Sequence, residues 1–215
     1  MGKLQEDLVE ELAGRYPELD FLKESIKAAA KAIIRCYENG GKILVCGNGG
    51  SAADSEHIVG ELMKGFIKKR PLKEDLRQNL INTGGALGGI LAEKLQTALP
   101  AISLVSQPAL STAFANDVDP ELVFAQQVLG YGKKGDVLIA LSTSGNSKNV
   151  INAIYTAKAL GMVTIGLTGK GGGRMKSVCD ILLDVPAEQT HRVQELHLPI
   201  YHTLCMLVEG YFFDD

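Results

Sequence analysis

The chain has 215 residues, 46% of them hydrophobic and 22% charged, with a net charge of -3. That is long enough for one domain with its own core, and the composition is ordinary for a globular protein. The balance excludes a general pull toward nucleic acid or anionic lipid, and no apolar run reaches the length of a membrane span.

In chain order, Leu4 to Ala13 and Phe21 to Tyr37 carry apolar residues at helical spacing, and Asn39-Gly40-Gly41 stops the second helix. The charged start, Met1 to Arg15, lacks the apolar stretch and cleavage site of a signal peptide. Lys42 to Cys46 reads as a buried strand running into Gly47-Asn48-Gly49-Gly50-Ser51, with a helix from Ala52 to Lys64 after it. Between Pro71 and Pro100 the pattern predicts helices over Glu74 to Ile81 and Gly89 to Leu99, with glycines between them. Ala101 to Val105 follows as a strand, then Leu110 to Asn116 and Glu121 to Leu129 as helices. Asp136 to Leu141 is another buried strand, running into Ser142-Thr143-Ser144-Gly145-Asn146-Ser147 and a helix from Asn149 to Leu160. Val163 to Leu167 and Asp180 to Val185 are the remaining strands. Gln189 to Gly210 is the last helix, with a kink expected at Pro199.

Alternating strand and helix predicts an α/β fold: a doubly wound, mostly parallel sheet flanked by helices. Ligands bind such sheets at the carboxyl ends of the strands, where the loops after Cys46 and Leu141 lie. Cys36, Cys46, Cys179 and Cys205 are far apart inside apolar stretches and form no C-x-x-C pair, which fits reduced thiols in the cytoplasm.

Two loops carry the chemistry. GNGGS follows a strand and opens a helix, so its glycines admit a ligand close to the backbone and the helix start offers N–H groups to an anion. A tight turn with no ligand has the same sequence. Ala52 stands where a dinucleotide fingerprint needs a third glycine, and no Gly-Lys-Ser/Thr follows to make a P-loop. STSGNS places four hydroxyls in six residues, which can hold a phosphate without a lysine. A serine N-cap beside a polar turn is its plain alternative. His57 and Glu61 are four apart on the helix after GNGGS, a spacing shared by surface pairs and by acid/base pairs. The last helix holds His191, Gln194, Glu195, His197 and His202. Gln194 and His202 are offset by about 80° and share a broad face, whereas His197 points away and reads as structural.

CGNGGSAADSEH and LSTSGNS together resemble the sugar isomerase (SIS) domain family. The resemblance continues through Ala113 to Asp117, GDVLIALS, the Thr168-Gly169 turn and RVQELH at Arg192 to His197, and covers nearly the whole chain. Within the family the chain looks most like the phosphoheptose isomerases. This implies a single SIS domain over 1–215, with N-terminal helices in 1–40. It implies aldose–ketose isomerisation of a phosphorylated sugar, sedoheptulose 7-phosphate, through an enediol. By resemblance Glu61 is the general base and His202 the second acid/base residue. Zinc, one per subunit, maps onto His57, Glu61, Gln194 and His202. The phosphate would sit in the loop of Ser142, Thr143, Ser144 and Ser147 with help from Ser51. Asn48, Gly49, Gly50, Asp117 and Gln194 complete the substrate contacts. Asp117 alone would be read as a loop or cap residue. The family also implies a homotetramer with sites between subunits, and no direct nucleic-acid or membrane partner.

The segment between Glu61 and Asn116 is longer than the family's, an insertion at about 65–100 that includes Lys68-Lys69-Arg70. It is either a solvated surface addition or a device that reshapes a pocket. A non-catalytic SIS domain, acting as a sugar-phosphate sensor or as a scaffold such as one that binds a replication initiator, is the alternative from another class. The pair Glu61 and His202 discriminates, because a scaffold needs no carboxylate and imidazole.

Overall fold

The computed structural model describes residues 3–213, so Met1, Gly2, Asp214 and Asp215 lie outside the described residues. The elements are α1 (Lys3–Arg15), a 3-10 turn (Pro17–Leu22), α2 (Lys23–Glu38), β1 (Ile43–Cys46), α3 (Gly50–Met63), α4 (Glu74–Lys94), β2 (Ala101–Ser103), α5 (Pro108–Asp117), a 3-10 turn (Pro120–Leu122), α6 (Val123–Tyr131), β3 (Val137–Ser142), α7 (Lys148–Ala159), β4 (Val163–Thr168), α8 (Met175–Val178), β5 (Ile181–Asp184) and α9 (Thr190–Phe212).

The five strands pair in the order β2-β1-β3-β4-β5, and every pair is parallel. All residues of β1 and β3 are buried, as a central parallel strand covered on both faces must be. Alternate side chains feed two separate cores. Ile43, Val45, Val137, Ile139 and Leu141 face α2, α3 and α9, whereas Leu44, Cys46, Leu138 and Ala140 face α6 and α7. Each fully buried Leu or Ile contributes roughly 1.5–3 kcal/mol, so this alternation is what fixes the register.

α2 buries Ile26, Ala29, Ala30, Ile33 and Ile34 on one face. It ends as expected, with the Asn39 amide donating to Arg35 O at 2.6 Å and Gly40 turning at a φ of 70°. The order 2-1-3-4-5 reverses direction between β1 and β3. Such a switch point opens a crevice between the loops that follow those two strands, and here those loops are GNGGS and STSGNS.

Two expectations need correction. The helix expected over Gly89–Leu99 ends at Lys94, and Leu95 is extended at φ -71° and ψ 150°. Pro100 disfavours helical backbone at Leu99, and Gln96 and Thr97 spend their polar groups on Gly65 and Pro71. The strand expected to reach Val105 stops at Ser103, although Leu104 N still donates to Val45 O at 2.9 Å. At Pro199, where a kink is expected, α9 runs on as one helical element, which neither requires nor excludes a bend, with the ring buried and the Thr203 hydroxyl donating to Pro199 O at 2.8 Å. The short α8 was not expected from the sequence.

Residues 65–100 hold a helical hairpin. α4 breaks at Gly85, whose φ of 55° only glycine takes readily, and its second half folds back so closely that a Cβ on Gly88 would lie 1.9 Å from Leu80 O. The stem is stitched: Gly65 N donates to Gln96 Oε1 at 2.6 Å, Thr97 N to Arg70 O at 2.8 Å, and Leu99 N to Leu62 O at 3.0 Å. Among the described residues no helix is long and apolar enough to cross a membrane.

Candidate active site

β1 delivers the first loop. Gly49 turns the chain at a φ of 57°, which starts α3 at Gly50, two residues before the expected start. Gly50 is also forced by packing, because a Cβ there would lie 2.5 Å from the Gln194 amide nitrogen. Gln194 of α9 therefore rests on the first turn of α3. Ser51 is buried, and its N–H closes a turn onto Asn48 O at 3.0 Å.

β3 delivers the second loop. The hydroxyls of Ser142 and Ser147 lie 2.9 Å apart, and Ser144 Oγ accepts from Asn146 N at 3.2 Å. Gly145 is held at a φ of 65° with its carbonyl accepting from Met175 N at 3.1 Å, and a Cβ on it would lie 2.1 Å from Gly172 O. The neighbouring GKGGGR turn thus forms the wall behind the loop. Gly169 N donates to Thr143 O and Arg174 N to the Asn146 side chain, both at 3.0 Å. Lys148, the cation next to the loop, is paired with Glu121 at 2.9 Å. The loop is a hydroxyl and N–H cradle opening onto the start of α7, suited to a phosphate.

The two loops are joined. Asn48 and Asn149 exchange a reciprocal pair of amide hydrogen bonds, each 2.9 Å. Asn149 was read only as a helix start, and nothing in its spacing marks it as a bridge.

The titratable groups gather between α3 and α9. His57 Nε2 lies 3.3 Å from Glu61 Oε1 and 3.4 Å from His202 Nε2. The other Glu61 oxygen pairs with Lys64 at 2.9 Å, and the Glu61 side chain is only 13% exposed. Phe66 and Tyr201 pack their rings against His202, with centroids 5.2 and 5.1 Å away. Burial pushes the His202 imidazole below its ordinary pKa, and the neighbouring His57 adds to the effect.

Asp54 and Tyr201 belong to this cluster and were missed in the sequence. The Tyr201 hydroxyl donates to Asp54 Oδ1 at 3.2 Å and lies 3.0 Å from His57 Nδ1. His57 thus meets Tyr201 through Nδ1, and Glu61 and His202 through Nε2. Asp54, three residues before His57, sits where a helix brings it to the same side, but only the contact with α9 reveals its partner.

His197 is fully buried, with Nε2 3.3 Å from Thr168 O, and is structural as expected. Asp117 is exposed at the end of α5 and accepts from its neighbour Asn116 at 2.9 Å. Within the chain it joins neither loop by a hydrogen bond. His191 is exposed on the outer face of α9. The four cysteines are free; burial pushes Cys36 up to about 11 and Cys46, Cys179 and Cys205 up to about 12, so none is poised as a nucleophile.

The metal expectation can be tested on these donors. A tetrahedral zinc with bonds of about 2.0–2.1 Å spaces its ligand atoms about 3.3–3.4 Å apart, which is the spacing of His57 Nε2 to Glu61 and to His202. The contacts are pairwise, however: among the described residues no group of three or more His, Cys, Asp or Glu is gathered to hold a metal ion.

A family model described as the SIS domain matches residues 12–85 and 82–169, two stretches that meet inside α4. The chain is 44% identical over 191 residues to the phosphoheptose isomerase of Nitratiruptor sp., covering 89% of this chain and 88% of that protein. It is 40% identical over 190 residues to the phosphoheptose isomerase of Desulfovibrio desulfuricans, covering 88% and 78% respectively. The solved structure of a phosphoheptose isomerase from Neisseria gonorrhoeae matches with a TM-score of 0.74 at 33% identity, covering 97% of this chain and 100% of that one.

Proposed function

This chain belongs to the SIS domain family, among the phosphoheptose isomerases, and from that premise we infer that it is an aldose–ketose isomerase acting on sedoheptulose 7-phosphate. The observation that carries the reading is the meeting of Glu61, His57 and His202 between α3 and α9, with α3 springing directly from the GNGGS loop. Isomerisation moves one proton between adjacent carbons and one between their oxygens. Glu61 takes the proton from C1 of the ketose, leaving an enediol, exchanges it with solvent and delivers a proton to C2. His202, adjacent to it across His57, takes the O1 proton and supplies the one that O2 needs. Ser142, Thr143, Ser144 and Ser147 hold the phosphate with Ser51, while Asn48, Gly49, Gly50, Asp117 and Gln194 position the sugar. The product is D-glycero-D-manno-heptose 7-phosphate. Incubating the purified chain with sedoheptulose 7-phosphate and a panel of hexose and pentose phosphates tests this. Selective turnover of the heptulose supports it, and binding with no turnover of any sugar makes the chain a sensor.

The domain reading is one SIS domain with N-terminal helices and the 65–100 hairpin as an addition to it. Its place of work is the cytoplasm, where the four free thiols stay reduced; recovery from an extracytoplasmic fraction would contradict this.

Zinc, one ion per subunit, would be held by His57, Glu61, Gln194 and His202, which would have to draw together around it. It would supply a Lewis acid that polarises the sugar carbonyl. The spacing of His57 Nε2 to Glu61 and to His202, 3.3 and 3.4 Å, supports the assignment. Dialysed protein is expected to retain about one zinc per chain, and His57→Ala to bind it at least about tenfold more weakly. Metal analysis finding no zinc in the parent, or the same affinity in the variant, contradicts it.

The assembly is a homotetramer whose sites lie between subunits. Support comes from the apolar residues exposed on the hairpin, Leu87 at 62% and Ile90 at 50% among them, and from Asp117, which is exposed and hydrogen-bonds to neither loop of its own chain. Light scattering is expected to give about four times the 23.0 kDa chain mass; a stable monomer would sink the proposal.

A further inference from the structure

Arg70 and Glu209 form a buried ion pair that the proton transfers do not use. Both side chains are at most 1% exposed, and Nε donates to Oε1 at 2.7 Å. Every strong donor around them is placed. The Glu209 carboxylate also accepts from the backbone N–H of Phe66 and Ile67, each at 2.8 Å, and of Lys68 at 3.1 Å. Burial alone would push this carboxyl up, yet those N–H groups and the guanidinium outweigh it and hold it below the ordinary glutamate value. The Arg70 guanidinium reaches the other way. It donates to Leu62 O at 2.7 Å and to Glu61 O at 3.0 Å, and lies 5.0 Å over the Phe213 ring. It thereby closes the carboxyl end of α3 with a cation.

The ends of this clamp are the two halves of the site. Glu61 is the residue whose backbone carbonyl Arg70 grips. Glu209 follows His202 by seven residues, two helical turns along nearly the same face of α9. Phe66, whose N–H Glu209 accepts, packs its ring against His202. A surface loop would be secured by any tie to the core; this one links the end of α3 that bears Glu61 to the face of α9 that bears His202.

We propose that Arg70 and Glu209 are positioning residues that set the spacing between Glu61 and His202, a role that rests on the isomerase reading above. They touch no reacting atom. A displacement of about 1 Å in such a constellation costs about 10²-fold in rate, and the phosphate loop on β3 and α7 lies outside the clamp, so turnover and binding separate.

Glu209→Gln and Arg70→Lys test this, with the double variant Arg70→Met/Glu209→Leu as the control for stability. Arg70→Lys keeps the charge opposite Glu209 and loses the forked grip on Glu61 O and Leu62 O, so it remains informative should Glu209→Gln not fold. An apolar pair can replace a buried ion pair without loss of fold. Assayed well below their melting temperatures, the folded variants are expected to lose at least about tenfold in kcat with KM within about threefold. The double variant is expected to fold and to stay slow, because it restores packing but not the grip on residues 61–68. A kcat within about twofold of the parent in any folded variant overturns the proposal, as does recovery of kcat in the double variant. A parent chain without turnover would instead sink the isomerase reading on which the proposal stands.

Discussion

Glu61→Gln is expected to lower kcat by about 10³-fold while leaving sugar-phosphate affinity within about threefold. The substitution keeps the shape of the side chain and an oxygen to face His57, so the helix and the aromatic packing around His202 are undisturbed. It removes the carboxylate that pairs with both His57 and Lys64. An amide cannot take a proton from carbon near neutral pH, and no other acid within the cluster replaces it. Asp54 is tied to Tyr201 on the far side of His57. Steady-state rates combined with calorimetric binding read the two effects separately. A variant retaining more than about a tenth of the parent rate would move the base elsewhere.

The protein is expected to lose about 3 kcal/mol of folding stability between pH 6.5 and pH 4 through His197 alone. The imidazole is fully buried, donates through Nε2 to Thr168 O at 3.3 Å, and has no partner at Nδ1. Burial pushes its pKa down from 6.5 to about 4, because a charged ring there would lose its water with no anion to replace it. The sign follows from which state binds the proton first. Below pH 6.5 the unfolded chain takes up a proton that the folded chain refuses, so stability falls with pH until the folded ring also titrates near 4. Urea unfolding of the parent and of His197→Gln at pH 7 and pH 4.5 measures the difference. The parent should lose more stability than the variant on acidification, and parallel losses would contradict the assignment.

Strands β1, β3 and β4 were legible because each is an apolar run ending in glycine or hydroxyl residues, and β5 because its apolar run stops at Asp184 and Pro186. Continuous runs of that kind are characteristic of parallel strands buried on both faces, and once they alternate with helices the switch point follows. The facing of His57, Glu61 and His202 was less direct. The i,i+4 spacing put the first two together, but only the docking of α9 on α3 brings His202 to 3.4 Å from His57. Asp54, Tyr201 and Asn149 escaped because their roles are long-range hydrogen bonds with no local spacing to announce them. Arg70 was read within a solvated charge run, Lys68-Lys69-Arg70, yet it is 1% exposed. A periodicity argument cannot see a partner 139 residues away. The hairpin at 74–94 was half legible: the glycines marked the break, but not that Gly88 lets the second half close on Leu80.

The most direct test of the central claim is isomerisation of sedoheptulose 7-phosphate in deuterated water, followed by proton NMR of the product. An enediol route through a carboxylate base that exchanges with solvent places deuterium at C2 of the aldose formed. Deuterium at C2 in the parent reaction, with neither product nor label in Glu61→Gln, is the predicted result. Conversion with no deuterium at C1 or C2, or no conversion at all by protein that still binds the sugar phosphate, would contradict it.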